Sequence, residues 1–401
     1  MQRRLFLPAV VALVCAAVAA PAPAAGPAPV STRLTTALSG PALSLGRTAA
    51  LAVDLATGTV VYAHNSARPV APASNEKIPV AWAALAQLGA GYRFHTEVYG
   101  VGTRAGASWD GDLVLKGYGD PTLTTADLDG LAAKIRGRGI RLVTGRILGD
   151  ESFYDAKRGA SGWKAYFVGG ETPPLSALVV DRGLGWPALS PPLLAARALR
   201  QALLHHGVAV VGRPGLGTAS QRAISLASDT SGPLSLVVRH MNHESDNFYA
   251  EMLLKQLVAV TGRVGTSAGG ARVVIDAMRN AGIPVEGVRM VYGSGLSRLD
   301  RLTAAALVGV LRTGLADPAV RPAFLRSLAV AGSSGTLRAR LPSLQGRVNG
   351  KTGTTDLACT LSGVVDGTVA FAVLENGNPV STWAARAAQD RFVTILASGP
   401  A

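Results

Sequence analysis

This sequence holds little of what builds metal sites or disulfides. It has two cysteines and six histidines in 401 residues, and aromatics are only 5%. Cys15 falls in an N-terminal apolar run that reads as a leader, which leaves Cys359 alone. The mature chain therefore has no internal disulfide, even in an oxidising compartment. Cys359 lies in an apolar run without a His/Asn arrangement, which marks a small buried residue rather than a nucleophile. Only His205-His206 and His240-x-x-His243 are close together, and H-E-x-x-H does not occur. These histidines are expected to be solvated or internally satisfied, with no metal. Zinc-finger spacing, an aromatic RNP pattern and a basic helix are all missing. Nucleic acid is therefore not an expected partner, despite a formal charge of +14. Beyond the leader no stretch reaches the roughly 18 uninterrupted apolar residues of a membrane span. The mature chain reads as soluble, and its C-terminus, Ala397-Ser398-Gly399-Pro400-Ala401, offers no stable membrane anchor.

Core material is ample. Hydrophobic residues are 48% and charged residues 16%, which excludes a disordered chain. The 47 glycines and 23 prolines imply many turns but form no collagen-like repeat. The length suits two or three domains. Arg3 and Arg4, the apolar run Leu5 to Ala20, and Ala22-Pro23-Ala24 have the layout of a cleaved signal peptide, residues 1–24. Arg3-Arg4-Leu5-Phe6-Leu7 also resembles the twin-arginine motif, so both export routes stay open. Only seven of the 39 basic residues are lysines. An anionic cell-wall polymer is one thing such a surface would meet after export. Solubility alone explains the charge equally well.

The periodicity places the main elements. Ala49-Leu51-Val53, the turn Ala56-Thr57-Gly58 and Val60-Val61-Tyr62 predict a β-hairpin. An apolar helix follows over Val80 to Leu88. Short strands are predicted at Phe94–Val101, Leu113–Leu115 and Arg141–Leu148, with a helix over Leu128 to Arg138. A second helix, Leu193 to His206, leads into Val208–Val211. Pro233 to Val260 reads as one long helix or two joined ones. Leu361–Val365 and Val369–Leu374 predict strands joined at Asp366-Gly367, and Trp383 to Leu396 a closing helix. The N-terminal hairpin can join the C-terminal strands in one antiparallel sheet covered by helices. The expected fold is thus α+β. Residues 25–92 and 226–401 form one domain, and 93–225 an inserted mixed α/β lobe.

Three short elements carry chemistry: Ser74-Asn75-Glu76-Lys77, Ser245-Asp246-Asn247 and Lys351-Thr352-Gly353. Each alone is weak, and Ser161-Gly162-Trp163-Lys164 repeats the first pattern in a loop setting. Their order is specific. Residues three apart on a helix share a face, about 5–6 Å between Cβ atoms, so Ser74 can present its hydroxyl to Lys77. Backbone N–H groups at a helix start favour a developing oxyanion. Serine is a poor nucleophile until a base takes its proton, and lysine is almost wholly charged at pH 7. Burial and a second cation both lower its pKa, and Lys351 is a candidate for that cation. Ser245 can relay a proton to a leaving amine, and Asn247 can bind a substrate amide. All three residues of that element are also good helix N-caps. Lys351, Thr352 and Thr354 can hold a terminal carboxylate, and Gly353 lets a peptide backbone approach an edge strand.

Longer stretches extend these elements: Pro72-Ala73 before Ser74, Gly117-Tyr118-Gly119-Asp120-Pro121-Thr122-Leu123, and Ser245-Asp246-Asn247-Phe248-Tyr249-Ala250-Glu251. Gly293-Ser294-Gly295-Leu296-Ser297-Arg298 and Ala331-Gly332-Ser333-Ser334-Gly335-Thr336-Leu337 complete the set. With them the chain resembles the D-alanyl-D-alanine carboxypeptidase/endopeptidases of peptidase family S13, the class C low-molecular-mass penicillin-binding proteins. The resemblance runs from the first hairpin to the last helix. It implies a β-lactamase/transpeptidase-like catalytic domain and release of D-alanine from peptidoglycan stem peptides through an acyl-serine. By that resemblance Ser74 is the nucleophile, Lys77 its base and Ser245 the proton donor to the departing D-alanine. Asn247 and Lys351 bind substrate, and the N–H groups of Ser74 and Thr354 form the oxyanion hole. It implies no cofactor, β-lactam antibiotics as covalent inhibitors, and an exported, wall-associated location. Three features depart from the family pattern. The 171-residue interval from Ser74 to Ser245 is short, Tyr292 stands in place of Asp, and Pro79 threatens a kink in the nucleophile helix. A serine β-lactamase and a non-catalytic wall-binding protein are the alternatives.

Overall fold

The computed structural model describes residues 28–160 and 162–399. The signal-peptide reading, Cys15 and the Ser161 decoy lie outside the described residues. The chain enters through α1 (Val30–Ala37) and the hairpin β1 (Thr48–Asp54) and β2 (Val60–His64). A 3₁₀ turn at Ala73–Glu76 runs into α2 (Lys77–Leu88).

The insertion then begins. Its strands are β3 (His95–Ala105), β4 (Ser108–Gly117), β5 (Leu142–Val143), β6 (Ile147–Asp150), β7 (Ala209–Val210), β8 (Gly215–Leu216) and β9 (Ile224–Thr230). Its helices are α3 (Thr125–Gly137), the irregular turn α4 (Phe167–Gly170) and α5 (Pro191–His205). The seven strands form one mixed sheet, with α3 and α5 packed on its apolar side. Two sequence expectations shift here. Arg141–Leu148 is not one strand: β5 and β6 pair with separate stretches of β4 in the same register, and Thr144-Gly145-Arg146 breaks between them. Asp112 fixes that break by accepting from the Arg146 N–H at 2.7 Å. The expected boundary at 225/226 cuts through β9, which pairs with β3 up to Thr230.

Five helices follow: α6 (Leu234–His243), α7 (Asn247–Ala259), α8 (Ser267–Asn280), α9 (Ala304–Ala316) and α10 (Arg321–Ser327). The strands β10 (Ala329–Val330), β11 (Val348–Thr354), β12 (Ala358–Val365) and β13 (Val369–Asn376) lead to α11 (Thr382–Ala397). The first sheet has the order β10-β11-β12-β13-β1-β2, antiparallel throughout. The N-terminal hairpin thus closes onto the last strand, as the pattern predicts. Alternate residues of β13 serve opposite cores. Ala370, Ala372 and Leu374 face α2 and α9, whereas Phe371 and Val373 face α11. Both faces being covered, β12 is buried along its whole length. Asp366 and Gly367 both have positive φ, 52° and 70°, and with Thr368 they make the three-residue turn between the paired Val365 and Val369.

Candidate active site

The turn that carries Ser74 is pinned from below. Ala73 has a φ of 46°, a strained value for a residue with a Cβ. Asn75 holds the turn to the sheet, its Nδ2 donating to the Lys351 carbonyl at 2.8 Å while its Oδ1 accepts from Ser362 at 2.5 Å. Thr360 adds a bond to the Pro72 carbonyl at 3.0 Å. Pro79 does not break the helix. It is the third residue of α2, in the first turn, and the 3₁₀ turn ahead of it is closed by the Lys77 N–H on the Ser74 carbonyl.

The three motifs meet in one crevice. Lys77 Nζ lies 3.0 Å from Ser74 Oγ, 2.8 Å from Asn247 Oδ1 and 2.7 Å from the Ser294 carbonyl. Lys351 Nζ lies 2.8 Å from Ser245 Oγ and 2.8 Å from the Thr352 carbonyl. Both lysines are fully buried. Burial pulls Lys77 down to about 8, opposed by Glu251, Asp246 and Glu76. Lys351 lies well below the usual lysine range through burial, then repulsion from Lys77. Of the two expected causes of a lowered Lys77, burial acts on it, whereas repulsion between the two lysines bears on Lys351 instead.

The second motif divides its labour. α6 and α7 break at Glu244–Asp246, with Ser245 at φ 59°. Asp246 caps α7 through the Tyr249 N–H at 3.1 Å, which leaves Ser245 and Asn247 to face the crevice. Burial raises the Asp246 carboxyl, but His240 and Arg182 outweigh it and hold it at about 2. Arg182, 2.8 Å away, comes from the insertion. The insertion also supplies the Glu171 carbonyl, which accepts from Asn247 Nδ2 at 3.1 Å.

The third motif forms the opposite wall on β11. A Cβ on Gly353 would lie 2.8 Å from the Ser74 nitrogen, so glycine there keeps that N–H clear. Thr352 bonds Thr336 at 2.8 Å, and Thr354 lies exposed at the strand end. A cleft of about 460 Å³ opens beside the turn, lined by Ala73, Lys164, Glu171, Arg298, Thr354 and Asp356 among others. Asn75, Arg182, Glu171, Glu251 and Ser294 are site neighbours that motif reading does not single out. Elsewhere, His205 and His206 pair with Asp129 at 3.4 and 3.0 Å on the insertion. Among the described residues this is the one trio of His, Cys, Asp or Glu donors close enough to share an ion. Cys359 is buried, as expected.

Comparison with known proteins agrees with this geometry. The family model described as the D-Ala-D-Ala carboxypeptidase 3 (S13) family matches residues 30–193 and 187–398. The chain belongs to that family. It is a serine-type D-alanyl-D-alanine carboxypeptidase of the S13 group. It is 30% identical to a D-alanyl-D-alanine carboxypeptidase of Actinomadura sp. (strain R39), over 90% of this chain and 83% of the relative. It is also 30% identical to the carboxypeptidase DacB of Mycolicibacterium smegmatis, over 92% and 84%. Its fold matches penicillin-binding protein 4 of Haemophilus influenzae with a TM-score of 0.80 at 21% identity, covering 92% of this chain and 98% of that one. A predatory peptidoglycan endopeptidase of Bdellovibrio bacteriovorus matches at a TM-score of 0.53 and 17% identity, over 82% and 86%. Among the described residues no helix is long and apolar enough to cross a membrane.

Proposed function

We propose that Ser74 attacks the carbonyl between two D-alanines at the end of a peptidoglycan stem peptide, with Lys77 as general base. The observation that carries this is the 3.0 Å approach of a fully buried Lys77 Nζ to Ser74 Oγ. Its value near 8 makes the neutral amine accessible at modest cost. The Ser74 proton passes to Lys77 as the Oγ–C bond forms. The N–H groups of Ser74 and Thr354 receive the oxyanion, and Asn247 holds the substrate amide. Collapse breaks the C–N bond, and the departing amine takes a proton through Ser245, held by Lys351 Nζ at 2.8 Å. Water then attacks the acyl-serine, returning the Ser74 hydroxyl and a shortened stem. Lys351, Thr352 and Thr354 face the terminal carboxylate.

The same chemistry supports acylation by β-lactams, and the Haemophilus protein has been solved with one. Cleavage of D-amino-acid crosslinks is a second expected use of the site, since the Bdellovibrio relative is named an endopeptidase. The substrate lies outside the cytoplasm, which accords with residues 1–24 as a cleaved leader and with a wall-associated location. Residues 93–225, extended to the end of β9, act as the inserted lobe of the catalytic domain. Intact-mass measurement after penicillin, with the adduct mapped to a peptide, tests the assignment. A single adduct on Ser74 is expected, and a Ser74→Ala variant that still releases D-alanine would refute it.

A further inference from the structure

Beneath Lys77 lies a second group of ionisable side chains that acyl transfer at Ser74 leaves idle. Glu76 belongs to the nucleophile turn, Glu251 to the second turn of α7, and Asp300 to the loop before α9. All three are 0% exposed. They flank one backbone segment, residues 291–295. Asp300 Oδ1 accepts from the Val291 N–H at 2.8 Å. Glu251 Oε1 accepts from the N–H groups of Gly293 and Ser294 at 3.2 and 2.9 Å. The Ser294 carbonyl then meets Lys77 Nζ at 2.7 Å. Gly295 presses on the nucleophile turn, where an added Cβ would lie 3.1 Å from Glu76 Cβ. The segment is thus a bridge between the acids and the base.

The other oxygens of these acids are buried without a partner among the described residues. They are both oxygens of Glu76, Glu251 Oε2 and Asp300 Oδ2, together with the hydroxyls of Tyr292 and Ser294. Three buried carboxylates beside one ammonium cannot all stay ionised, because the low dielectric penalises each charge and each repels the others. A protonated carboxyl supplies the O–H donor that such oxygens otherwise lack. Burial raises all three acids; repulsion from the neighbouring carboxyls adds to it at Glu76 and Asp300, the latter pushed up to about 7, while at Glu251 the bonds from Ser294 and Gly293 and the Lys77 charge act against burial. Protons on acids this closely coupled belong to the group rather than to one member.

We infer that Glu76, Glu251 and Asp300 form a proton-sharing cluster that holds one negative charge opposite the Lys77 ammonium, with Glu251 as the positioning residue that aims the Ser294 carbonyl at it. The inference rests on Lys77 being the base. The cluster steadies the ammonium formed when Ser74 gives up its proton, and it sets the pH at which the resting amine is neutral. Other groups also face these side chains. Asp246 at the start of α7 acts on Lys77, Lys77 in turn repels Lys351 on β11, Arg301 acts on Asp300, and the Tyr292 hydroxyl is raised by Glu251 and Asp300.

The test is the pH profile of penicillin acylation in the full-length enzyme carrying Glu251→Gln, Glu76→Gln or both, with thermal unfolding followed alongside. Glutamine keeps the oxygen that accepts the two N–H groups but cannot ionise. Each single variant is expected to move the acid limb to lower pH, by roughly one unit or less, because the charge relocates to a remaining acid. The double variant should move it at least as far as the two singles together. A limb that stays in place throughout, or a double displaced by less than the singles combined, overturns the inference. Should the double variant fail to fold, Asp300→Asn with Glu251→Gln makes the same comparison. A parent enzyme that is not acylated on Ser74 defeats the functional assignment, whereas normal acylation with an unmoved limb defeats only the cluster.

Discussion

Gly353→Ala isolates the part played by empty space in the third motif. The added methyl would sit 2.4 Å from Thr360 Oγ1, 2.8 Å from the Ser74 nitrogen and 3.0 Å from Ala73 Cβ. None of these neighbours yields easily. Thr360 is held by its bond to the Pro72 carbonyl at 3.0 Å, and the turn is held through Asn75 on the Lys351 carbonyl at 2.8 Å. Relief therefore requires β11 and the nucleophile turn to part by about 0.5–1 Å, an overpacking cost of roughly 1–3 kcal/mol. That movement displaces the Ser74 N–H from its proposed place at the oxyanion. Loss of one such donor slows acyl transfer by about 10²–10³-fold. The assay is the second-order rate of fluorescent-penicillin labelling, paired with D-alanine release from a stem peptide and a thermal melt. A variant that labels and hydrolyses at the parent rate, with an unchanged melt, would show that the geometry around Gly353 does not govern the oxyanion site.

Three further outcomes follow from individual environments. Lys77 titrates at about 8, below the usual 10.5, so its neutral form grows as pH rises through that value. Acylation should climb about tenfold per pH unit below the midpoint and level off above it, and a flat profile from pH 6 to 9, by stopped-flow labelling, would exclude Lys77 as the base. Burial raises Glu375 from 4.5 to about 8, so the stability it lends is complete below the lower value and is lost as pH rises through the upper one. Glu375→Gln should consequently hold its melting temperature across that window while the parent declines, and parallel curves would refute it. Gly130 sits inside α3 with nothing within 4 Å of an added Cβ. Gly130→Ala should stabilise by about 0.5–1 kcal/mol in denaturant titration and leave labelling unchanged, which also makes it a control for the Gly353 variant.

Local pattern and long-range burial differ in how well they can be read from sequence. The hairpins at β1–β2 and β12–β13 show directly, because alternation and the Asp366-Gly367 turn lie within a few residues of each other. The three motifs are legible because their residue types are chemically unusual in combination. Asn75 is not, since it occupies a variable position of its motif and acquires meaning only when Lys351, 276 residues away, meets it. The limit of the insertion is hidden for the same reason: β9 belongs to it through pairing with β3, not through any change in composition. Arg182 and Glu171 reach the site from the insertion, which the sequence suggests only as a separate lobe. Pro79 shows the reverse error. Read alone it threatens a helix, yet the preceding 3₁₀ turn places it where its missing N–H costs nothing.

The two buried lysines are not equivalent, and the asymmetry gives the proposed reaction its direction. Lys77 is countered by Glu251, Asp246 and Glu76, whereas nothing acidic offsets the downward pull on Lys351. A proton entering the pair therefore settles on Lys77, which is where the Ser74 proton must go during attack. Lys351, pulled well below the usual lysine range by burial and by repulsion from Lys77, stays bonded to Ser245, the hydroxyl proposed to hand a proton to the leaving amine. Neighbouring residues hold this division in strained backbone, Ala73 at φ 46° and Ser245 at φ 59°, each costing of order 1 kcal/mol. Only a turn fastened to two strands and a helix break fixed by the Asp246 cap keep both in place. The rigidity of those anchors, rather than the motifs alone, separates an acyl-transfer site from three coincidental patterns.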